Sequence, residues 1–421
     1  MADPLPTAEP WGPEGLPLEQ ARALILAGLQ PLGLREDHPL ADCLGRTCAV
    51  AVRAPAAVPG FRASILDGYA IADSDVPQVG SRWRVVGRSV AGLPHAGTLK
   101  VGEAVRILTG SVVPEGSGRV LAQELVQVRQ EEAGAVIELV QPCGANPWIR
   151  QPEEEASPGE ELVPAGRRLG VAELGRLASC GVQRLSVTAR PQIGLLISGD
   201  ELLPPGAPRG PGQIWESSSA LLTALLTRLG YGVCEQRVVV DQPEPLRAAL
   251  LELAERCDVV VSTGGVSAGD SDWIRPLVAE LGQVRFWKLF LRPGRPFAWG
   301  QVAGTPFFGL PGNPVAAAVT ALQLLWPTLQ RLEGAELQLL PRLRVRLEAP
   351  LKRGSGRPEL ARARLAVAAD GALLARVEGS QASSRVGSLQ GADLLLEIPA
   401  ELGALEAGTE LWAQLLRLPI L

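Results

Sequence analysis

The stretch Asp258–Trp273, DVVVSTGGVSAGDSDW, constrains this chain more than any other. It opens with the unbroken apolar run Val259–Val261, the pattern of a strand buried on both faces of a parallel sheet. The run breaks at Thr263-Gly264-Gly265-Val266-Ser267, and beyond Gly269 stand two acids, Asp270 and Asp272. A helical pattern follows from Trp273 to Leu281. Strand, glycine turn and helix start together present bare backbone N–H groups and a positive helix end to an anion. The glycines let a phosphate approach the main chain without a Cβ in the way. Acids beside such a cradle repel the phosphate unless a cation lies between them, and Mg²⁺ prefers carboxylate and phosphate oxygens. Taken alone, these residues equally describe a tight strand–helix connection with solvated acids. The rest of the chain decides between the two.

With 421 residues the chain exceeds one compact core and has room for two to four domains. It is 46% hydrophobic and 20% charged, a soluble globular balance. A net charge of −5 argues against nucleic acid as a partner. No apolar run is long enough to span a bilayer, so no membrane partner is expected. Met1–Gly15 lacks the charged start and apolar centre of a signal peptide and is expected to be a short disordered lead. The six cysteines are scattered without a C-x-x-C pair, as expected of reduced thiols in a cytoplasm. The two histidines, His38 and His95, leave no material for a Ser-His-Asp triad or a His-ligated zinc. Acid–base and metal work therefore falls to carboxylates. Lysine occurs only at Lys100, Lys288 and Lys352, against a background rich in Arg, Ala, Gly and Pro.

Leu18–Leu29 is an amphipathic helix that has to pack on something. In Ser64–Ala70, SILDGYA, the Asp67-Gly68 pair reads most simply as a hairpin turn. Trp83–Val140 alternates apolar and polar residues between turn signals, which predicts an all-β region, a small barrel or a sandwich. Thr109 ends one of its strands. An irregular acid-rich stretch follows, with Arg150 expected as an ion-pair partner.

From Pro191 the pattern changes. Ile193–Ile197, Gly232–Val240 and the Asp258 stretch read as buried strands, separated by helices at Ser217–Leu229 and Pro243–Arg256. Such alternation means a doubly wound α/β sheet, and ligands of such sheets bind beyond the carboxyl ends of the strands. Glu201, Asp241, Asp270 and Asp272 each follow a strand end, more acids at one edge than a solvated face needs. Lys288, Arg292 and Arg295 bring positive charge within FWKLFLRPGRPFAW. Asn313-Pro314 reads as an N-cap with proline at the first helical position, and the free N–H groups of the helix Val315–Leu332 offer a second anion site. Past Leu337 the strands return, predicting a C-terminal β domain of about five strands with a hydroxyl-rich loop at Gly379–Arg385.

Several blocks occur together in order: SILDGYA at 64–70, RILTGSVVP at 106–114, ISGDEL at 197–202, STGGVSAGDSDW at 262–273, FWKLFLRPGRPFAWG at 286–300, GLPGNPVAA at 309–317 and GSQASSRVGSLQGAD at 379–393. Together they resemble the MoeA / gephyrin E-domain family, the molybdopterin molybdenumtransferases, over nearly the whole chain. The resemblance implies a multidomain protein: a linker domain from 16–57 with 151–190, a β-rich domain at 58–150, a molybdopterin-binding α/β domain at 191–335, and a β domain at 336–421. It implies insertion of molybdate into adenylylated molybdopterin with release of AMP, a requirement for Mg²⁺, and a homodimer whose site is shared between chains. A molybdopterin adenylyltransferase would then be the upstream partner. By motif, Asp67, Glu201, Asp241 and Asp272 are the expected catalytic residues, the last three also as Mg²⁺ ligands. Thr109, Ser198, Thr263, Gly264, Gly265, Ser267, Lys288, Arg292, Arg295, Pro311, Gly312, Asn313, Pro314, Ser384 and Arg385 are expected at the substrate. The chain departs from the family in three places: arginine for lysine at Arg292 and Arg295, Leu66 for the usual methionine, and Glu153 and Glu155 for a glycine and an aspartate. The α/β block alone would also fit an adenylyltransferase, and the family contains a receptor scaffold. DGYA, PGNP and the flanking β regions favour the transferase.

Overall fold

The computed structural model describes residues 14–266, 272–377 and 379–417. The lead Met1–Pro13, Ser267 and Asp270 lie outside them.

The α/β sheet is built from β1 (Ile193–Ser198), β2 (Val233–Val239), β3 (Val259–Thr263), β4 (Gly282–Trp287), β5 (Ala298–Val302) and β6 (Thr305–Leu310). Its order is β2-β1-β3-β6-β5-β4. The first four strands are parallel, and β4 and β5 close the far side antiparallel. Every side chain of β1 and β3 is buried, because helices cover both faces. On one face lie α1 (Ser218–Arg228) and the segment beginning with α4 (Pro314–Thr320); on the other lie α2 (Pro243–Arg256) and α3 (Ile274–Leu281). Pro243 supplies the first position of α2, where a missing N–H costs nothing. The sequence places α2 at its observed bounds and the neighbouring strands to within two residues.

The predicted helix Val315–Leu332 is interrupted. After α4 the chain runs as a π-helical segment, Ala321–Leu325, and resumes as an α-helix at Trp326–Glu333. Pro327 explains the break, since it has no N–H to donate and its ring crowds the preceding turn. Gly334, at φ 77°, ends the helix in the left-handed conformation that glycine tolerates.

The core above β1 and β3 also takes in Leu16, Leu18, Ala21 and Ile25 of the helix Leu18–Ala27 and its approach, and Leu340, Leu360 and Leu395 of the C-terminal region. This is where the apolar face of the first helix finds its partner. The C-terminal strands, between Arg342 and Leu415, close into a five-stranded barrel. Arg292 binds that barrel through its backbone: its N–H donates to the Pro358 carbonyl at 2.9 Å and its carbonyl accepts from Leu360 at 2.8 Å.

The first β region is one open six-stranded sheet rather than the closed barrel or sandwich expected. Its edge strands, Arg119–Ala122 and Val126–Glu131, are separated only by the 3₁₀ turn Gln123–Leu125, so the sheet curls strongly on itself. Separate apolar clusters cover its two sides, which is why Gly68–Ile71 is buried at every position. Asp67-Gly68 is not a hairpin turn. Gly68 opens an interior strand between Arg119–Ala122 and Glu103–Ile107, and a Cβ there would run into the Leu121 carbonyl. Arg150 does form an ion pair, with Glu154 at 3.0 Å. Glu153, standing where the family resemblance expects glycine, adopts φ 69°.

Two glycines with opposite surroundings test this packing. Gly68→Ala is expected to cost more than about 2 kcal/mol, because the neighbouring strand's backbone cannot move aside. Gly175→Ala, within the helix Val171–Ser179 and facing open space, is expected to stabilise by about 0.5–1 kcal/mol. Denaturant unfolding of the two variants measures both effects; a neutral Gly68→Ala would refute the close approach.

Candidate active site

Strand register builds the site. Ile197 pairs with Thr263, Thr263 with Leu310, and Ser198 with Val239, so four carboxyl ends finish at one level. At that edge opens a cavity of about 560 Å³. Its floor is Ser198, Thr263, Gly264 and Gly265 on one side and Pro311, Gly312, Asn313 and Pro314 on the other. Glu201 and Asp272 line it as well.

Both glycines of the first turn are required by their surroundings. Gly264 has φ 86°, and a Cβ there would stand 2.5 Å from the Ser198 carbonyl oxygen. Gly265 has φ 62°, and its Cβ would meet Ile274 of α3 at 2.6 Å. Left-handed backbone with no room for a side chain is glycine's domain. A Cβ on Gly312 would lie 3.5 Å from the Gly264 Cα, so the two turns face each other closely.

The second turn differs from its expected form. Asn313 has the extended backbone of an N-cap and Pro314 takes the first helical position, but the Asn313 side chain does not cap α4. It donates instead to Ser383 Oγ at 3.1 Å, and the Val315 N–H donates to the Ser383 carbonyl at 3.1 Å. That N–H is therefore taken by the protein. In exchange, the loop after the third barrel strand is pinned over the cavity, where Ser383, Ser384 and Val386 line it.

The acids converge on Asp241. Its backbone N–H donates to Asp200 Oδ1 at 3.0 Å. Burial pushes the Asp241 carboxyl up from its ordinary range, and the charges of Asp200, Glu201 and Asp272 push it further. The Ser198 hydroxyl opposes this rise. The hydroxyl has no hydrogen bond of good geometry among the described residues, so its hold on Asp241 is weak. Among the described residues no three carboxylate, histidine or cysteine side chains are close enough to form a closed metal cage. Mg²⁺ does not need one, because it keeps waters and takes substrate phosphate oxygens beside one or two carboxylates. Asp241, crowded by the charges of Asp200, Glu201 and Asp272, is a carboxylate whose surroundings suit such an ion.

Other expected residues fall elsewhere. Asp67 and Thr109 meet each other: the Asp67 carboxylate accepts from the Thr109 N–H and from its hydroxyl, both at 2.8 Å. Those two bonds hold the Asp67 carboxyl below its ordinary range. Neither residue lines the cavity. Arg292 does not line it either; its guanidinium lies 3.7 Å from the buried carboxylate of Glu359. The strand beside which the Arg292 backbone is held carries Glu359, whose nearer partner is Arg353 at 3.2 Å. Asp241, Lys288, Arg295 and Arg385 are likewise outside the lining, although Gly294 and Pro296 flank Arg295 and Ser384 precedes Arg385. Lys288 holds φ 97°. Sequence reasoning missed Trp215, Glu216 and Ser218, which also line the cavity, the first half exposed and the other two buried. The signal was an aromatic residue two positions before the serine run that starts α1.

A parallel sheet whose carboxyl edge carries two opposed glycine turns and a group of acids defines an α/β protein built to hold a phosphate-bearing anion. Comparison with known proteins makes this specific. Residues 16–181 match the model of the MoeA N-terminal region (domain I and II), residues 194–331 a probable molybdopterin binding domain, and residues 344–416 the MoeA C-terminal region (domain IV). The molybdopterin molybdenumtransferase of Haemophilus influenzae is 32% identical over 93% of this chain and 96% of its own length. Molybdopterin molybdenumtransferase 2 of Mycobacterium tuberculosis is 32% identical over 89% of this chain and 93% of its own. A crystal structure of the MoeA protein of Pyrococcus horikoshii superposes with a TM-score of 0.78 at 28% identity, covering 96% of this chain and 99% of that one. The chain belongs to the MoeA family, the molybdopterin molybdenumtransferases of molybdenum cofactor biosynthesis.

The crowding of acids predicts a pH signature. A carboxyl whose folded pKa is raised costs stability once the pH exceeds its unfolded pKa, and the cost grows until the folded pKa is passed. Asp241→Asn is therefore expected to raise Tm in chelator-treated protein at pH 7, with the gain shrinking as the pH falls toward about 4. Thermal melts across that range check it. A gain independent of pH, or a loss at pH 7, would contradict the crowding.

Proposed function

We infer that this protein inserts molybdate into adenylylated molybdopterin, releases AMP and requires Mg²⁺. The observation that carries this reading is the pair of opposed turns at Gly264-Gly265 and Gly312-Asn313, set beside Glu201 and Asp272 in one cavity. The glycine turns allow a phosphate to reach main-chain N–H groups. Glu201, Asp241 or Asp272 would hold the cation at the strand ends beside the substrate's own phosphate oxygens, and once bound it would neutralise charge on the departing phosphate. Ser383 and Ser384 of the barrel loop line the same cavity opposite Gly294 and Pro296 of the RPGRP segment, so a tetrahedral dianion finds hydroxyl donors there.

An adenylylated substrate has to be made by nucleotidyl transfer, so in this reading a molybdopterin adenylyltransferase acts upstream. The unbonded cysteines support a reducing, cytoplasmic setting. Among the described residues no helix is long and apolar enough to cross a membrane. Asp67 and Thr109 belong to the same reading through a homodimer. A carboxylate held ionised by two donors, away from its own chain's cavity, suits a cleft completed by a second chain.

Two measurements test this. In purified protein given adenylylated molybdopterin and molybdate, AMP release should require Mg²⁺ and stop in excess EDTA. Glu201→Gln or Asp272→Asn should each lower it about a hundredfold or more while Tm is kept. Undiminished release in EDTA would sink the metal requirement. For the shared cleft, Asp67→Asn and Asp272→Asn homodimers should both be inactive, whereas a purified mixed dimer should recover about half of wild-type activity, because one cleft then carries both defects and the other neither. A confirmed mixed dimer without recovery would show that each site comes from a single chain.

A further inference from the structure

Trp215 is half exposed, at 46%, yet both its backbone neighbours and its indole N–H are hydrogen-bonded within the protein. It ends a two-residue strand, Ile214–Trp215, paired parallel to Leu202–Leu203. Backbone bonds fix both sides of it: Ile214 N–H to the Glu201 carbonyl and Glu216 N–H to the Leu203 carbonyl, each 2.8 Å. The indole Nε1–H donates to the Ala207 carbonyl at 2.8 Å. The Arg209 guanidinium lies 4.0 Å from the ring centroid. The indole also lines the cavity that holds the glycine turns.

A tryptophan with its only polar side-chain atom committed to the protein offers a ligand nothing but its π surface. A guanidinium stacked on the ring and a backbone bond at its edge fix the plane of that surface, so little conformational entropy is lost when something stacks on it. A ligand ring that covers this exposed indole removes apolar surface of both from water. The geometry points to Trp215 as a stacking platform for a flat heteroaromatic ring carried by a phosphate-bearing substrate, with Arg209 backing the ring. This deepens the proposed function and rests on it for the identity of the substrate, since adenylylated molybdopterin has two such rings, adenine and pterin. Trp215 is a positioning residue: it places the ring so that the phosphate reaches Gly264 and Gly265.

Binding of AMP and, separately, of 6-carboxypterin to purified wild-type protein, Trp215→Phe, Trp215→Leu and Trp215→Ala tests the assignment by calorimetry. At least one probe should bind about tenfold more weakly to the Leu and Ala variants and within about threefold of wild type to the Phe variant, with Tm unchanged. Loss confined to AMP assigns adenine to the platform; loss confined to the pterin assigns the pterin. In turnover, Trp215→Ala should raise KM for the adenylylated substrate and leave kcat nearly intact. Wild-type protein that binds neither probe, or a Leu variant that binds both as wild type does, overturns the platform. So does a fall in kcat at constant KM. The calorimetry needs no molybdate and no turnover. Protein that binds a ring through Trp215 but releases no AMP would refute the transfer reaction and leave the platform standing.

Discussion

The site depends on the complete burial of two strands. No side chain of β1 or β3 faces water, so neither strand can shift by one residue without turning its whole pattern over. With register locked from both faces, Ile197, Thr263 and Leu310 come to one level, and the turns that follow them have to leave the sheet together. The glycines are then dictated locally: Gly264 lies against the Ser198 backbone, and Gly265 lies under α3. A cradle for an anion is what remains when packed strands end and no side chain fits above them.

Charge is treated in opposite ways in the core and at this edge. Glu333 is buried, and its Oε2 accepts from the Tyr231 hydroxyl at 2.6 Å and from Arg168 at 3.0 Å. Arg168 comes from outside the α/β sheet and also donates to the Leu229 carbonyl, so one ion pair ties the N-terminal region to the end of α1 and to the helix Trp326–Glu333. Burying such a charge without its partner costs about 3–5 kcal/mol, which makes the attachment obligatory. Around Asp241 the neighbours that raise its proton affinity are acids. The buried Glu333 is neutralised from within, whereas the strand-end acids repel one another. That repulsion is a cost to folding that a bound cation would relieve.

The periodicity of the sequence made the α/β elements legible because burial imposes it directly. Continuous apolar runs marked β1 and β3, and Pro243 marked the start of α2. The glycine turns and the acids were legible as types because each follows a strand. Contacts between distant segments were not. Nothing in GSQASSR announces that the Ser383 carbonyl takes an N–H of α4, and nothing in LRPGRP shows that the Arg292 backbone is bonded to the barrel on both sides. Trp215 escaped notice for the same reason: its two-residue strand is too short for a pattern, and its exposure only has meaning beside the cavity. Asp67-Gly68 misled because an Asp-Gly pair suits a hairpin equally well; only the Leu121 backbone lying against Gly68 shows why glycine is there.

Asp67 combines a fixed charge with a stiff support. Its exposed carboxylate would ordinarily swing freely, yet two bonds from Thr109 fix it and keep it ionised. Orienting a surface carboxylate costs side-chain entropy, and the backbone and hydroxyl donors of one residue offset only a modest part of that in water. The position also sits at the mouth of an interior strand, where Gly68 is packed against its neighbour and cannot yield. The carboxylate is therefore carried next to a point where two strands' backbones are in direct contact. Rigid presentation of an ionised group beyond the reach of its own cavity has little value within one chain. It gains a use where a second chain offers that carboxylate a cleft lined by glycine turns, which is the arrangement the proposed homodimer provides.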